Sequence, residues 1–442
     1  MLSKTRDKPM KEYINTEFEE LPSDWNLLEI ESVIKNEKKT IDPAKNPEEL
    51  FEYYSIPAYQ DEEKPYEEIG KNIRSQKLLI TKDTILFGKL NPRVPKIWLV
   101  DDGSRHRQIA STEFIPLQPI PEAVNSTFLY YLCWSKYILP KSRELVSGST
   151  PSRQRVDHKA FKKIIIPHPP LDEQRNIAHI LSTIQQAIEA TDKVITAAQE
   201  LKKSLMQYLF TYGPVSLEEA EQIPLKETDI GMIPKHWELT TVKEYSNKLQ
   251  YGFTASATDK KVGPKILRIT DIKEGLVDWD RVPYCECSEV DYQKYSLSEG
   301  DILVARIGAT TGKTYMVNQI PSPTVFASYL IKIVTSQNVI PEYLYHFFNT
   351  PAYWKQINES KEDKLKKGVS ASLLSSLTFP KAPFNEQTKV KTMLTIVNKK
   401  IYTEQKRKNT LQSLFNSMLH HLMTGKLRVK DLDLNIPEEV AQ

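Results

Sequence analysis

An internal repeat, half as long as the chain itself, limits most strongly how these 442 residues can fold. Leu21-Pro22-Ser23-Asp24-Trp25-Asn26-Leu27 recurs 212 residues later as Ile233-Pro234-Lys235-His236-Trp237-Glu238-Leu239. In the same order, Thr84 to Leu90 is matched by Asp301 to Ile307, Ala110-Ser111 by Ala327-Ser328, Phe128 to Leu132 by Tyr343 to Phe347, and Pro167 to Gln174 by Pro380 to Gln387. The offset drifts only between 212 and 217 residues. One match could be chance; five in order mark a duplicated domain. The period is too long for a solenoid. Short apolar runs from Ile85 to Leu90, Lys163 to Ile166, Ile302 to Arg306 and Leu330 to Val334 read as strands. Tyr-rich runs such as Glu342 to Asn349 read as helices packed on them. The fold class expected is α/β (α+β), with two similar domains. A duplicated domain implies a duplicated task on a target with two similar halves.

A long helix should follow each copy. Asp172 and Asn385 are good N-caps behind Pro-containing turns, and neither following stretch holds Pro or Gly until Gly213 and Gly425. Some 40 residues at 1.5 Å each make ~60 Å of helix. Steps of three and four give a first stripe at Ile177, Ile180, Ile184, Ala187, Thr191, Val194, Ala198, Leu201, Leu205 and Tyr208. The second runs through Val390, Leu394, Val397, Ile401, Glu404, Lys408, Leu411, Phe415, Met418 and Leu422. Both are heptad seams. Each could cover its own domain, but pairing with the other as an antiparallel coiled coil accounts better for their length. The polar middle of the second seam would fix register or mark a docking point. The boundaries expected are a tail at 1–20, a first domain at 21–170, its helix at 171–213, a linker at 214–232, a second domain at 233–383, its helix at 384–427 and a tail at 428–442.

Composition narrows the function class. No apolar run is long enough for a membrane span, and Met1 to Glu20 lacks the apolar core of a secretory signal, so a cytoplasmic location and no membrane partner are expected. Three cysteines make no disulfide framework, and Cys285-Glu286-Cys287 lacks the second pair a zinc site needs. Gly308-Ala309-Thr310-Thr311-Gly312-Lys313-Thr314 is one residue short of a phosphate-binding P-loop and runs into a strand-like segment, not a helix. A glycine hairpin presenting Thr310, Thr311 and Lys313 fits better. No methyltransferase loop, metal-nuclease cluster or G-x-S-x-G elbow is visible, so no catalytic and no metal-binding residue is assigned.

Basic and polar loops stand out instead. Lys141 to Lys163 holds seven Lys or Arg against Glu144 and Asp157. Its centre carries Ser149, Thr150, Ser152, Arg153 and Arg155, groups that contact phosphates and base edges. The matching place in the second copy holds Lys367, Ser370 and Ser372. Arg93 and Lys96, Arg105 and Arg107, and Tyr251, Thr254 and Ser256 complete the candidate DNA-contacting set. Residues 385–430 carry ten Lys or Arg against two Glu, which suits either solvation or phosphate contact. The whole chain, with 60 basic and 57 acidic residues, is nearly balanced.

Together, the Pro-x-x-Trp elements, the strand-and-glycine segments around Ile85 to Pro92 and Gly300 to Lys313, and the Glu-Gln pairs at Glu173-Gln174 and Glu386-Gln387 resemble the specificity subunit of type I restriction–modification systems over essentially the whole chain. The second copy departs in having Ala382-Pro383 where the first has two prolines. The resemblance implies a non-catalytic chain. Two target-recognition domains would read the halves of a bipartite, asymmetric double-stranded DNA site. The helices would set the unread spacer and dock two methyltransferase (modification) subunits. Restriction (motor nuclease) subunits would join them. It also implies that the chain binds no cofactor, while the complex uses S-adenosylmethionine, ATP and Mg²⁺. Two other classes stay open on the residues alone: a stand-alone DNA-processing enzyme, and an adaptor carrying two protein-binding domains on a helical rod.

Overall fold

The computed structural model describes residues 13–15, 20–37, 39–61, 63–101, 105–148, 150–273, 275–321, 323–362 and 368–429. It mixes helix and sheet, and its two long helices, Leu171–Tyr212 and Phe384–Met423, pack together. The chain forms two compact units, residues 1–191 with 407–442 and residues 192–406. These limits differ from the boundaries expected above. Each unit takes one recognition-type domain, the near end of its own long helix and the far end of the other. In the first unit Ile177, Ala178 and Leu181 share a core with Leu422 and Met423. In the second, Met206, Leu209 and Phe210 share one with Val390 and Leu394. The start of one helix therefore meets the end of the other in both units, and the helices run antiparallel.

Inside each unit the same frame is built from matching elements. The opening strand pairs antiparallel with the closing strand, Asn26–Glu29 with Ile165–His168 and Glu238–Thr241 with Thr378–Lys381. A central strand, Ile85–Gly88 or Ile302–Ala305, is wholly buried and lies between two antiparallel neighbours. Buried aromatic and aliphatic faces of Ser126–Cys133 and Pro341–Phe347 cover these strands. The units differ outside the frame. The first adds a five-stranded sheet that includes a parallel pair, Leu50–Tyr54 with Arg107–Ala110.

Four expectations about the elements need correction. Residues 214–232 are not a plain linker. They hold a capped turn of helix, Leu217–Ala220, and most of a hairpin, Leu225–Thr228 with Gly231–Pro234. A matching hairpin, Tyr13–Asn15 with Glu20–Pro22, occupies part of the expected tail at 1–20. At the other end, Arg428 and Val429 are buried at 3 % and 5 % exposure, so these two residues do not belong to a tail. In the first helix Val194 and Leu201 are exposed, at 41 % and 55 %, and do not belong to the seam. The buried line runs through Ile177, Leu181, Ile188, Thr191 and Ile195 to Leu209, with Ile184 and Leu205 half-buried between them. The expected and observed seams share Ile177, Ile184, Thr191, Ala198 and Leu205 but step in opposite order between them. The observed one admits Lys202, whose alkyl stem can bury while its ammonium reaches outward; a purely apolar count prefers Leu201. In the second helix Val390 and Leu394 are buried, and Val397, Leu411, Phe415 and Met418 are half-buried.

Candidate nucleic-acid interface

Each recognition-type domain is tied to the helices by the same latch. Trp25 and Trp237 are buried. Each backbone amide donates to the proline carbonyl three residues earlier, Pro22 or Pro234, at 3.0 Å. Each indole N–H donates to the first-turn glutamate of its own long helix, Trp25 to Glu173 at 3.0 Å and Trp237 to Glu386 at 2.7 Å. The adjacent glutamine is buried in both copies. Gln174 accepts from the Asn125 amide and Gln387 from the Ile340 amide, each at 2.9 Å. The same side chains donate to Pro169 and Ala382 carbonyls, also at 2.9 Å. The Glu-Gln pairs thus hold the closing turn, the Trp element and a sheet-covering helix together.

The other helix's end closes each latch. Gly425 (φ +65°) follows the second helix, and a Cβ on it would stand 2.4 Å from Pro22 Cγ. Gly213 (φ +82°) follows the first helix and lies against Trp237, Pro234 and Glu386. Both positions need the left-handed region that glycine adopts freely. Beyond Gly425 the first unit adds an ion cluster. Arg428 donates to both Glu173 carboxylate oxygens at 2.6 Å and to both Asp24 oxygens at 2.8 and 2.7 Å. Burial opposes the charge on Arg428, but its hydrogen bonds to Glu173 and Asp24 outweigh it and hold the guanidinium above its usual pKa. His236 bonded to Glu386 at 2.9 Å is the exposed counterpart in the second unit.

With the frame so held, the loops carrying the candidate DNA contacts sort themselves. In the first unit Arg93, Arg105, Thr150, Ser152 and Arg153 are exposed. Lys96 is buried, and its ammonium closes its own loop by donating to the Val94 carbonyl at 3.0 Å. Burial lowers its pKa. It is withdrawn as a contact. Arg107 pairs with Glu49 at 3.0 Å and Arg155 with Glu113 at 3.0 Å. Such exposed pairs are weak, so a phosphate could displace them. Ser149 lies outside the described residues.

In the second unit Thr254, Ser256, Lys313 and Ser372 are exposed. The Gly308–Gly312 segment is a tight turn between the strands Ile302–Ala305 and Thr314–Met316, with no helix behind it. Thr310 is half-buried there. Thr311 is 8 % exposed and donates to the Gly308 carbonyl at 2.6 Å, so its hydroxyl serves the turn and is withdrawn as a contact. Ser370 caps the helix Ala371–Ser376 by accepting from the Leu373 amide. That engagement likewise argues against a free contact. Lys367 lies outside the described residues. Tyr251 is 40 % exposed, its hydroxyl accepts from the Ala371 amide at 3.0 Å, and the Arg306 guanidinium lies 4.7 Å above its ring. Arg306 was missed by sequence reading, which counted it as the end of a strand.

Two matching bonds fix the correspondence of these loops. Lys89 N–H donates to the Glu113 carbonyl at 2.8 Å and its own carbonyl accepts from Val156 at 3.0 Å. Arg306 N–H donates to the Tyr329 carbonyl and its carbonyl accepts from Val369, both at 2.9 Å. Lys89 therefore matches Arg306, Glu113 matches Tyr329, and the Arg155 strand matches Gly368. Ser370 and Ser372 fall opposite Asp157 and Lys159, a few residues beyond the match read from sequence. Asp157, like Ser370, caps its helix.

Among the described residues no group of three or more His, Cys, Asp and Glu could hold a metal ion, and no helix is long and apolar enough to cross a membrane. Known proteins share this architecture. The type I restriction modification DNA specificity domain matches twice, at residues 22–199 and 234–413. The MjaVIII type I restriction enzyme specificity subunit of Methanocaldococcus jannaschii is 25 % identical over 93 % of this chain and 95 % of its own. The EcoKI specificity subunit of Escherichia coli is 24 % identical over 70 % of this chain and 68 % of its own. A crystal structure of a type I restriction-modification S subunit from M. genitalium superimposes with TM-score 0.59 over 90 % of this chain and 96 % of that one, at 15 % identity. Two matches to one family model, spanning most of the sequence and coinciding with the two copies of the latched frame, place this chain in the type I restriction–modification specificity subunit family.

Proposed function

We propose that the chain chooses the DNA sequence on which a type I complex acts, each domain reading one half of a bipartite, asymmetric site. One observation carries this reading: a common latched frame presents different side chains in its two copies, Lys89 and Glu113 in one against Arg306 and Tyr329 in the other. Like frames with unlike loops suit a target whose halves differ. Phosphate contacts by exposed Arg93, Arg105, Arg153 and Lys313 would supply salt-dependent affinity. The antiparallel helices would set the unread gap. At ~60 Å they exceed the ~34 Å of one B-DNA turn.

Methyltransferase subunits would dock along the helices. Val194 and Leu201, one heptad apart on one face of the first helix, and Ile396 on the second are large apolar side chains left 41 %, 55 % and 65 % exposed. The partners would bring S-adenosylmethionine chemistry for adenine methylation, and motor nuclease subunits would bring ATP and Mg²⁺. A chain of this kind would work in the cytoplasm, where its DNA is. The test is adenine-methylation mapping of genomic DNA from cells with and without the gene. Loss of methylation at one split motif of fixed gap is the expected result. A methylation pattern independent of the gene, while the methyltransferase is expressed, contradicts the reading.

A further inference from the structure

We infer that Arg306 is a specificity-determining residue, reading a guanine in the half-site bound by the second domain, with Tyr251 as its platform. The inference rests on the specificity reading above and names a residue for it. Arg306 directly follows the buried strand Ile302–Ala305. Its backbone is fixed on both sides, by the Tyr329 carbonyl and the Val369 amide. Its guanidinium lies over the Tyr251 ring, and that ring is itself tethered through its hydroxyl to the Ala371 amide. The group is thus positioned before any ligand arrives, which spares the ordering cost of a free surface arginine.

Charge balance separates this arginine from Arg107 and Arg428, which also lie over aromatic rings. Arg107, Arg155, Arg268, Arg281 and Arg428 each face a carboxylate. Among the described residues no carboxylate pairs with Arg306. The first unit differs here. There the equivalent of Tyr329 is Glu113, whose carboxylate is occupied by Arg155. The second unit has Tyr329 in place of that carboxylate and Gly368 in place of its arginine, so this ion pair has no counterpart beside Arg306. The surroundings are open: Tyr329 is 56 % and Ile307 38 % exposed, and a Cβ built on Gly308 would meet nothing within 4 Å. A planar cation held against a ring keeps its in-plane N–H edge for hydrogen bonding. The acceptor pair that matches this fork on a base edge is O6 and N7 of guanine in the major groove.

The experiment uses the full-length chain co-expressed with its own methyltransferase subunits, as wild type, Arg306→Ala and Arg306→Lys. Methylated motifs are mapped in genomic DNA, and melting curves check folding. Lysine keeps the charge but lacks the planar fork, so it provides a second variant if alanine disturbs the loop. In both variants one guanine position in one half-site should become degenerate, with discrimination there falling about ten-fold or more, while the other half and the gap stay unchanged. An unchanged motif, with any loss of affinity equal on all sequences, overturns the inference and leaves Arg306 a phosphate contact. If the wild type itself directs no split motif, the specificity reading fails as well, and the two failures are thereby distinguished.

Discussion

Arg428 is met by two carboxylates, Glu173 with its side chain 11 % exposed and Asp24 with 45 %. Removing a partner from a buried ion cluster leaves uncompensated charge, and Arg428→Ala should cost about 3 kcal/mol, most of it through Glu173. A melting curve of the full chain checks this. Gly425→Ala should destabilise by more than the usual glycine effect, because φ is +65° and the new Cβ would strike Pro22. His346 gives a pH signature. Burial, and then Lys202, push its pKa down to about 3. The unfolded histidine binds its proton near the ordinary imidazole value of 6.5 and the folded one does not. Stability from this group is therefore complete above pH 6.5 and falls as pH drops from there toward 3, by up to about 1.4 kcal/mol per unit. Melting at pH 7 and pH 5 should show the loss in the wild type and a smaller one in His346→Leu.

At the scale of elements, the long helices were legible because nothing interrupts them: a proline turn and a glycine bracket each run, although the helices start at Leu171 and Phe384, one residue before the expected caps Asp172 and Asn385. The phase of the first was not. Between Ile177 and Leu209 two stripes cross at every second step, and only the three-dimensional cores at the helix ends choose between them. Lys202 sits on the chosen line, half-buried, with its pKa lowered by burial. Lys202→Leu should therefore raise the melting temperature, since an apolar side chain suits a seam position without the cost of burying charge. Val194→Asp and Leu201→Asp should leave melting unchanged and abolish co-purification of the methyltransferase. Retained co-purification would remove this face as the docking surface. The latch shows the same division. Trp, Glu, Gln and Gly were all visible as repeated letters. That the glycine serves the other copy's tryptophan follows only from antiparallel helices long enough to bury their ends in different cores.

For the whole molecule, the duplicated frame could be read from residue order, because paired strands, caps and buried aromatics recur at nearly constant offset. The DNA-facing residues were legible only as loops. Lys96, Thr311 and Ser370 carry suitable chemistry but spend it on their own loops, and Arg306 reads in sequence as a strand's last step although it lies just beyond the strand. Burial and partner choice, not residue type, separate these cases. The account's central claim is that the two domains read separate halves of one site while the helices fix the gap between them. It is tested most directly by replacing residues 21–170 with the same segment of a relative of different specificity and mapping adenine methylation in cells carrying the methyltransferase. One half of the motif should change to the donor's, with the other half and the gap retained. A motif that changes in both halves, or in gap length alone, would contradict it.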